Sequence, residues 1–188
     1  MKIAIIGASA GIGLQTTRLA LEKEHEVITL SRRDVPLPDH AKLRRVQGSA
    51  TNSNDVRAAV EGADSILVTL GVKSPFATTL FSDSARVLLR VLQETGSSPA
   101  LIVLTGFGAG DSWGYNSIPM KVLFTLFLKR AYLDKSEQER LIASGYPRWA
   151  IVRPGRLTNG TMTGHYRVLD NLVEGMRVGA ISRADVAH

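Results

Sequence analysis

The stretch Gly7-Ala8-Ser9-Ala10-Gly11-Ile12-Gly13 decides the fold, because it lies between the apolar run Lys2-Ile3-Ala4-Ile5-Ile6 and a helix-forming segment that begins at Ile12. In that context a glycine-rich turn is a phosphate cradle. Gly7 permits a tight exit from the strand. Gly11 lets the backbone approach a pyrophosphate with no Cβ in the way, and Gly13 lets the helix pack close to the sheet. The helix N-terminus then offers unpaired N–H groups and a partial positive charge to phosphates. Gly7, Ser9, Ala10, Gly11, Ile12 and Gly13 are therefore the first candidate cofactor-binding residues.

Downstream of the turn, short β-branched runs alternate with longer amphipathic segments, the pattern of βαβ units that build a parallel sheet. The apolar runs predict strands at Lys2–Ile6, Glu26–Leu30, Leu43–Gln47, Ser65–Thr69, Ala100–Thr105 and Trp149–Arg153. Helices are predicted over Ile12–Glu24, Ser53–Glu61, Thr78–Thr95 and Met120–Ser144. In Thr78–Thr95 the residues Leu80, Ala85, Leu88, Leu89 and Leu92 fall near helical spacing and give that helix a face for the sheet. The class is α/β, a Rossmann-type doubly wound parallel sheet, and no repeat or Pro/Gly linker divides residues 1–188, so one NAD(P)-binding domain is expected. The closing Ile181-Ser182-Arg183-Ala184-Asp185-Val186-Ala187-His188 reads as a strand leading into a helix with Ser182 as its N-cap. That helix has barely begun at His188, which suggests a chain truncated at its C-terminus.

The second strand ends at Leu30-Ser31-Arg32-Arg33, where an NAD-binding domain carries Asp or Glu for the ribose hydroxyls. The charge here is inverted. Two guanidiniums and the Ser31 hydroxyl suit a ribose 2′-phosphate, since arginine grips phosphate oxygens bidentately and stacks on adenine. NADP is therefore the expected cofactor. Ligands of open α/β sheets sit at the carboxyl ends of the strands, so Leu70, Gly71, Thr105, Gly106, Pro154 and Gly155 should line the crevice.

Composition narrows the field. Lys and Arg number 23 against 17 Asp and Glu, a net charge of +6, which fits either a polyanionic partner or a phosphate-rich pocket. Cysteine is absent, so disulfides, thiolate nucleophiles and Cys-ligated zinc are excluded, and a cytoplasmic setting is expected. The run Ile118–Leu128 contains Lys121 and is far shorter than the roughly 20 residues of a bilayer span. The basic residues Arg32, Arg33, Lys42, Arg44 and Arg45 come with no nucleic-acid recognition motif, and neither a nucleic-acid nor a membrane partner is expected.

Several stretches together resemble the atypical short-chain dehydrogenase/reductase group, in particular NAD(P)H-binding proteins related to biliverdin reductase B (flavin reductase) and, more distantly, NmrA-like proteins. They are Gly7 to Gly13; Val68-Thr69-Leu70-Gly71 with Ser84-Ala85-Arg86; Leu104-Thr105-Gly106-Phe107-Gly108-Ala109; Leu141-Ile142-Ala143-Ser144-Gly145; Ile151-Val152-Arg153-Pro154-Gly155-Arg156-Leu157; and the closing segment from Ile181. The resemblance implies NADP preference and hydride transfer to a planar acceptor such as a flavin or tetrapyrrole. Two departures stand out. Ala10 replaces a glycine common in the group, and Gly48-Ser49 replaces a Gly-Asp pair whose carboxylate meets adenine, leaving that contact to Ser49.

The Tyr-x-x-x-Lys pair that protonates a carbonyl in many short-chain dehydrogenases is missing. Tyr115 has Pro119 four residues on, and Tyr132 precedes Lys135 by three, on one helix face but in another register. Lys135 with Glu139 resembles the group's Lys-x-x-x-Glu, in which lysine approaches the nicotinamide ribose; the plain alternative is a solvated i,i+4 ion pair. Thr105 ends the fifth strand where these folds place a hydroxyl near the nicotinamide. Thr105 and Lys135 are the candidate catalytic residues. A flavin-like acceptor asks mainly for two aligned rings, so the missing pair is compatible with catalysis. It is equally compatible with a non-catalytic NADP-binding sensor of the NmrA type. The acceptor pocket is expected from Phe107–Ile118 and Leu157–Tyr166, with Phe107, Trp113, Tyr115 and Tyr166 as stacking candidates and His165 as a surface histidine. No histidine pair has metal-ligand spacing, and the assembly is expected to be a monomer or homodimer.

Overall fold

The computed structural model describes residues 1–72, 78–116, 121, 124–173, 175–176 and 178–188. Six strands form one parallel sheet: β1 (Lys2–Ile6), β2 (Glu26–Ser31), β3 (Leu43–Gln47), β4 (Ser65–Val68), β5 (Ala100–Leu104) and β6 (Trp149–Val152), in the order β3-β2-β1-β4-β5-β6. Strand order therefore reverses between β1 and β4, where the crossovers leave to opposite sides and a crevice opens. Alternate side chains of β1 feed two separate cores. Ala4 and Ile6 join Val56 of α2 (Ser53–Val60), Leu88 of α3 (Leu80–Thr95) and Ile142 of α4 (Lys129–Gly145) on one face. Ile5 joins Ala20 of α1 (Gly11–Glu22), with Val27 and Val35, on the other. A strand buried on both faces has no polar side, which is why these runs are continuously apolar.

Helix starts are held in different ways. Asn52 caps α2 by accepting from the N–H groups of Asn54 (2.9 Å) and Asp55 (3.1 Å). At α3, Thr79 makes no side-chain cap, and Asp134 of α4 accepts instead from Phe81 N (2.9 Å) and Ser82 N (3.1 Å). Ser182 caps the last helix, α5 (Arg183–Ala187), by accepting from Asp185 N at 2.8 Å, as the sequence predicts. Ala10 precedes α1 and gives no side-chain cap at all, so the amides of the first turn have no side-chain acceptor there.

Three features depart from expectation. The helix predicted over Met120–Ser144 has, in its described part, a π-helical turn at Phe124–Leu128 before α4; positions 120, 122 and 123 of that prediction lie outside the described residues. A 3₁₀ helix, Gly110–Tyr115, lies inside the Phe107–Ile118 stretch, where no helix is predicted and whose positions 117–118 are also outside the described residues. A small parallel pair, β7 (Arg156–Thr158) with β8 (Ala180–Ser182), stands apart from the main sheet; β8 is anticipated by the closing motif and β7 is not. Strand β6 also departs from the buried pattern, with Trp149 42% and Val152 38% exposed, because it forms the edge of the sheet.

The turn after β1 is tightly determined. Gly7 has φ +100°, and a Cβ there would lie 2.9 Å from the carbonyl carbon and oxygen of Thr69. A Cβ on Gly13 would run into the Gly7 carbonyl oxygen and Thr69 Oγ1. Gly13→Ala is therefore expected to lower stability by ~1–3 kcal/mol, because α1 must move off the strand ends to admit one methyl. Chemical denaturation measures this; an alanine variant as stable as the parent would show that α1 does not press on β1 and β4.

Candidate functional site

A cavity of about 950 Å³ opens at the carboxyl ends of the central strands. Its floor is the turn Gly7, Ser9, Ala10, Gly11 and Ile12, while Gly13 lies beneath it against Gly7 and Thr69. The uncapped start of α1 thus faces open space. Leu70 and Gly71 continue the wall after β4, as expected, and Thr69 joins them. Thr69 Oγ1 donates to the Ile6 carbonyl at 3.1 Å and fixes the exit of β4 against that of β1.

At the tip of β2, Arg32 and Arg33 both line the cavity and are exposed. Among the described residues neither guanidinium has a hydrogen bond or ion pair. Ser31 differs from its expected role. Its buried hydroxyl donates to the Arg33 carbonyl at 2.6 Å, so it shapes the loop that carries the arginines and has no proton left for a ligand. Ser49 also lines the cavity, with its amide donating to Asp55 Oδ2 at 2.8 Å and its hydroxyl 2.9 Å from Thr51 Oγ1. A carboxylate does stand at this corner, but it comes from α2, behind the backbone of the Gly48-Ser49 pair.

The far end of the cavity holds Thr105, Lys135 and Tyr132. Lys135 is not the solvated partner of Glu139 that its spacing permits. Its Nζ donates to the Thr105 carbonyl at 2.7 Å and sits 5.2 Å from the ring centres of both Phe81 and Tyr132. Burial pulls the Lys135 ammonium down to about 8, partly opposed by the charge of Glu139. Glu139, only 4% exposed, accepts from Thr105 Oγ1 (2.6 Å), Arg153 Nε (3.0 Å) and Arg153 Nη2 (2.7 Å). Arg153 also pairs with Asp111 at 2.6 Å. The Thr105 hydroxyl proton is thereby committed to Glu139, which turns Thr105 from a proton donor into an anchor that presents its carbonyl to Lys135. Tyr132 was visible in the sequence only as an out-of-register partner of Lys135. Burial holds its phenol above the ordinary range, so it stays protonated at neutral pH. The Tyr132 hydroxyl lies against Gly106, where a Cβ would approach it to 2.9 Å.

Pro154 and Gly155 are placed otherwise than the glycine turn. They line a second cavity, of about 780 Å³, with Phe107, Arg153, His165, Tyr166 and Asp185. Of the four aromatic candidates, Phe107 and Tyr166 face this cavity, whereas Trp113 and Tyr115 line neither. Asp185 orders one side of it. Burial pushes its carboxyl up, but hydrogen bonds from Thr163 N, Ser182 Oγ, Gly164 N and Thr163 Oγ1 outweigh this and hold it at about 2. Arg183 lies between the two cavities, and nothing in the sequence reading singles out its side chain. It lines the first cavity, while its neighbour Ser182 and Asp185 line the second.

No helix among the described residues is long and apolar enough to cross a membrane. The glycine turn, in which Gly11 has no Cβ on the cavity wall, and the uncapped helix that follows it fit a dinucleotide diphosphate. Comparison with known proteins agrees. A 3-beta-hydroxysteroid dehydrogenase of Mycolicibacterium neoaurum is 38% identical over 71 residues, which is 38% of this chain and only 19% of that protein. The structure of ChuY, an anaerobilin reductase from Escherichia coli O157:H7, superposes with a TM-score of 0.78 at 26% identity, covering 100% of this chain and 87% of that one. A short-chain dehydrogenase/reductase from Veillonella parvula, solved with NADP, shares the fold with a TM-score of 0.80 at 18% identity, covering 99% and 83%. The profile of the NAD(P)H-binding family matches residues 7–188, nearly the whole chain. This protein therefore belongs to the NAD(P)H-binding family, on a Rossmann fold.

Proposed function

We propose that the protein is an NADPH-dependent reductase acting on a planar acceptor, a flavin or a related ring system. One observation carries the reading: a single cavity begins at an uncapped helix start flanked by two guanidiniums unpaired among the described residues and ends at a half-buried lysine of lowered pKa. Gly7, Ser9, Ala10, Gly11, Ile12 and Gly13 hold the diphosphate, Arg32 and Arg33 the 2′-phosphate on the loop that Ser31 shapes, and Ser49 the adenine edge. Leu70 and Gly71 wall the middle. Thr105, Gly106 and Lys135 receive the nicotinamide ribose, and Pro154 and Gly155 separate that end from the acceptor cavity. When bound, the nicotinamide supplies the hydride.

The chain's own contribution is alignment and proton supply. Lys135 keeps one N–H on the Thr105 carbonyl, which leaves two donors on the ammonium for the ribose hydroxyls or for an acceptor atom. The Thr105–Glu139–Arg153 bonds lock the helix face that carries Lys135. Phe107 and Tyr166 offer ring faces to the acceptor. The superposed E. coli protein is an anaerobilin reductase, which supports the reductase reading. The missing Tyr-x-x-x-Lys favours the competing reading, an NADP-binding sensor without turnover. Loss of NADPH absorbance on adding free flavin separates the two, since a sensor binds NADPH tightly and leaves it unoxidised.

Replacing both Arg32 and Arg33 with alanine is expected to narrow the NADPH-over-NADH preference by ~1–3 kcal/mol, the worth of charge-assisted bonds to one phosphate. Side-by-side titrations of the two nucleotides measure it, and an unchanged preference would remove these arginines from the 2′-phosphate site. A second expectation concerns pH. Lys135 is charged below about 8 and loses its proton as pH rises through that value, so kcat/KM should fall on an alkaline limb centred there. Glu139 raises the Lys135 value, so Glu139→Gln should shift the limb to lower pH, and Lys135→Arg should abolish it while lowering kcat/KM by roughly 10²-fold. A limb unmoved in Lys135→Arg would assign it to another group.

A further inference from the structure

The phosphate cradle has a wall that its glycines do not announce. The Arg183 side chain lies beside Gly11, with Nε 3.8 Å and Cδ 3.9 Å from where a Gly11 Cβ would stand. It reaches this position because α5 packs against α1 and its first turn is fixed by Ser182 and Asp185. Arg183 Nη1 donates to Asn159 Oδ1 at 2.7 Å, a neutral acceptor. Among the described residues the guanidinium makes no ion pair. A half-buried cation with a neutral partner, pointed along a glycine turn whose helix amides also lack an acceptor, is an incomplete set of charges that an anion completes.

We propose that Arg183 is a ligand of the cofactor's diphosphate, brought to the glycine turn by the C-terminal segment. The inference rests on the NAD(P)H-binding reading and adds a residue to it. The diphosphate receives backbone amides from the start of α1 and a guanidinium from α5. Gly11 is then required for two reasons: its φ of +60°, and the contact distance at which Arg183 passes, which any side chain longer than a methyl would disturb. Because the diphosphate is common to NADPH and NADH, Arg183 contributes affinity without choosing between them, whereas Arg32 and Arg33 choose.

The test is nucleotide binding by calorimetry, with the full chain and three probes: NADPH, NADH and adenosine 2′-monophosphate, which has a 2′-phosphate and no diphosphate. Arg183→Ala should weaken NADPH and NADH by the same factor, roughly tenfold for one charge-assisted contact, and leave adenosine 2′-monophosphate unchanged. Arg183→Gln keeps a donor for Asn159 but not the charge, and should reproduce the loss; Arg183→Lys should restore part of it. Thermal unfolding without nucleotide reports whether each variant is folded, and the glutamine and lysine variants carry the test where alanine is not. Unchanged NADPH affinity in a folded Arg183→Gln variant would overturn the proposal, as would an equal loss for adenosine 2′-monophosphate. A parent chain that binds neither dinucleotide would instead overturn the cofactor reading beneath it.

Discussion

The approach of α1 to the ends of β1 and β4 is the constraint on which the rest of the site depends. The backbone of Gly13 lies against the Gly7 carbonyl, and Gly7 lies against the Thr69 carbonyl. Three chain segments thus meet at distances that exclude a methyl group. That contact aims the first-turn amides of α1 along the crevice, and an aimed amide keeps its dipole oriented without reorganisation when an anion arrives. It also fixes where the other walls stand, because Gly7 N donates to Leu30 O (2.8 Å) at the end of β2 and Thr69 N donates to Ile6 O (2.8 Å) at the end of β1. The arginines after β2 and the loop after β4 are therefore placed by the same junction that places the helix.

The second organising element is electrostatic. Glu139 is buried and holds Arg153 and the Thr105 hydroxyl at once. Removing the arginine would leave the buried Glu139 carboxylate short of its charged partner, whereas the pair as a whole contributes little net stability. Its effect here is positional. It ties β5, α4 and the end of β6 together where the two cavities meet, and it leaves Lys135 a carbonyl as its near partner rather than a carboxylate. A lysine bonded directly to a carboxylate would hold its proton more firmly; this one, half-buried beside two rings and facing a carbonyl, is lowered to about 8.

What the sequence disclosed and what it withheld divide along physical lines. Strands β1, β2, β4 and β5 are legible to within a residue or so because inner parallel strands buried on both faces leave nearly unbroken apolar runs, the edge strands β3 and β6 are legible from their place in the βαβ alternation, and the cradle is legible because strand, glycines and helix are contiguous. The fold and the NAD(P)H-binding family follow from those two signals. The hidden features are set by pairs distant in sequence. Asp134 caps α3 from α4, Asp55 meets the amide of Ser49 from α2, and Glu139 abandons Lys135 for Thr105 and Arg153. Local spacing permitted a Lys135–Glu139 pair and could not exclude it. Ser31 illustrates the same limit at short range: a hydroxyl beside two arginines suits a phosphate on paper, but a carbonyl two residues on takes its proton first.

The C-terminal segment gives the two cavities a common wall. Gly155 presses so closely on the Gly179 carbonyl that no Cβ fits between them, and Arg156 N donates to that same carbonyl at 3.2 Å. Phe107 N donates to the Pro154 carbonyl at 3.0 Å. The strand pair β7–β8 is thereby seated on the carboxyl ends of β5 and β6, and α5 continues from it onto α1. Residues on the two sides are interleaved here: Ser182 and Asp185 face the second cavity, and Arg183 faces the first. A load placed on the Arg183 guanidinium must be transmitted through a backbone that Ser182 and Asp185 already hold with buried hydrogen bonds. The second cavity is thus framed by the same short helix that reaches the cradle, so its shape depends on how firmly that helix sits on α1.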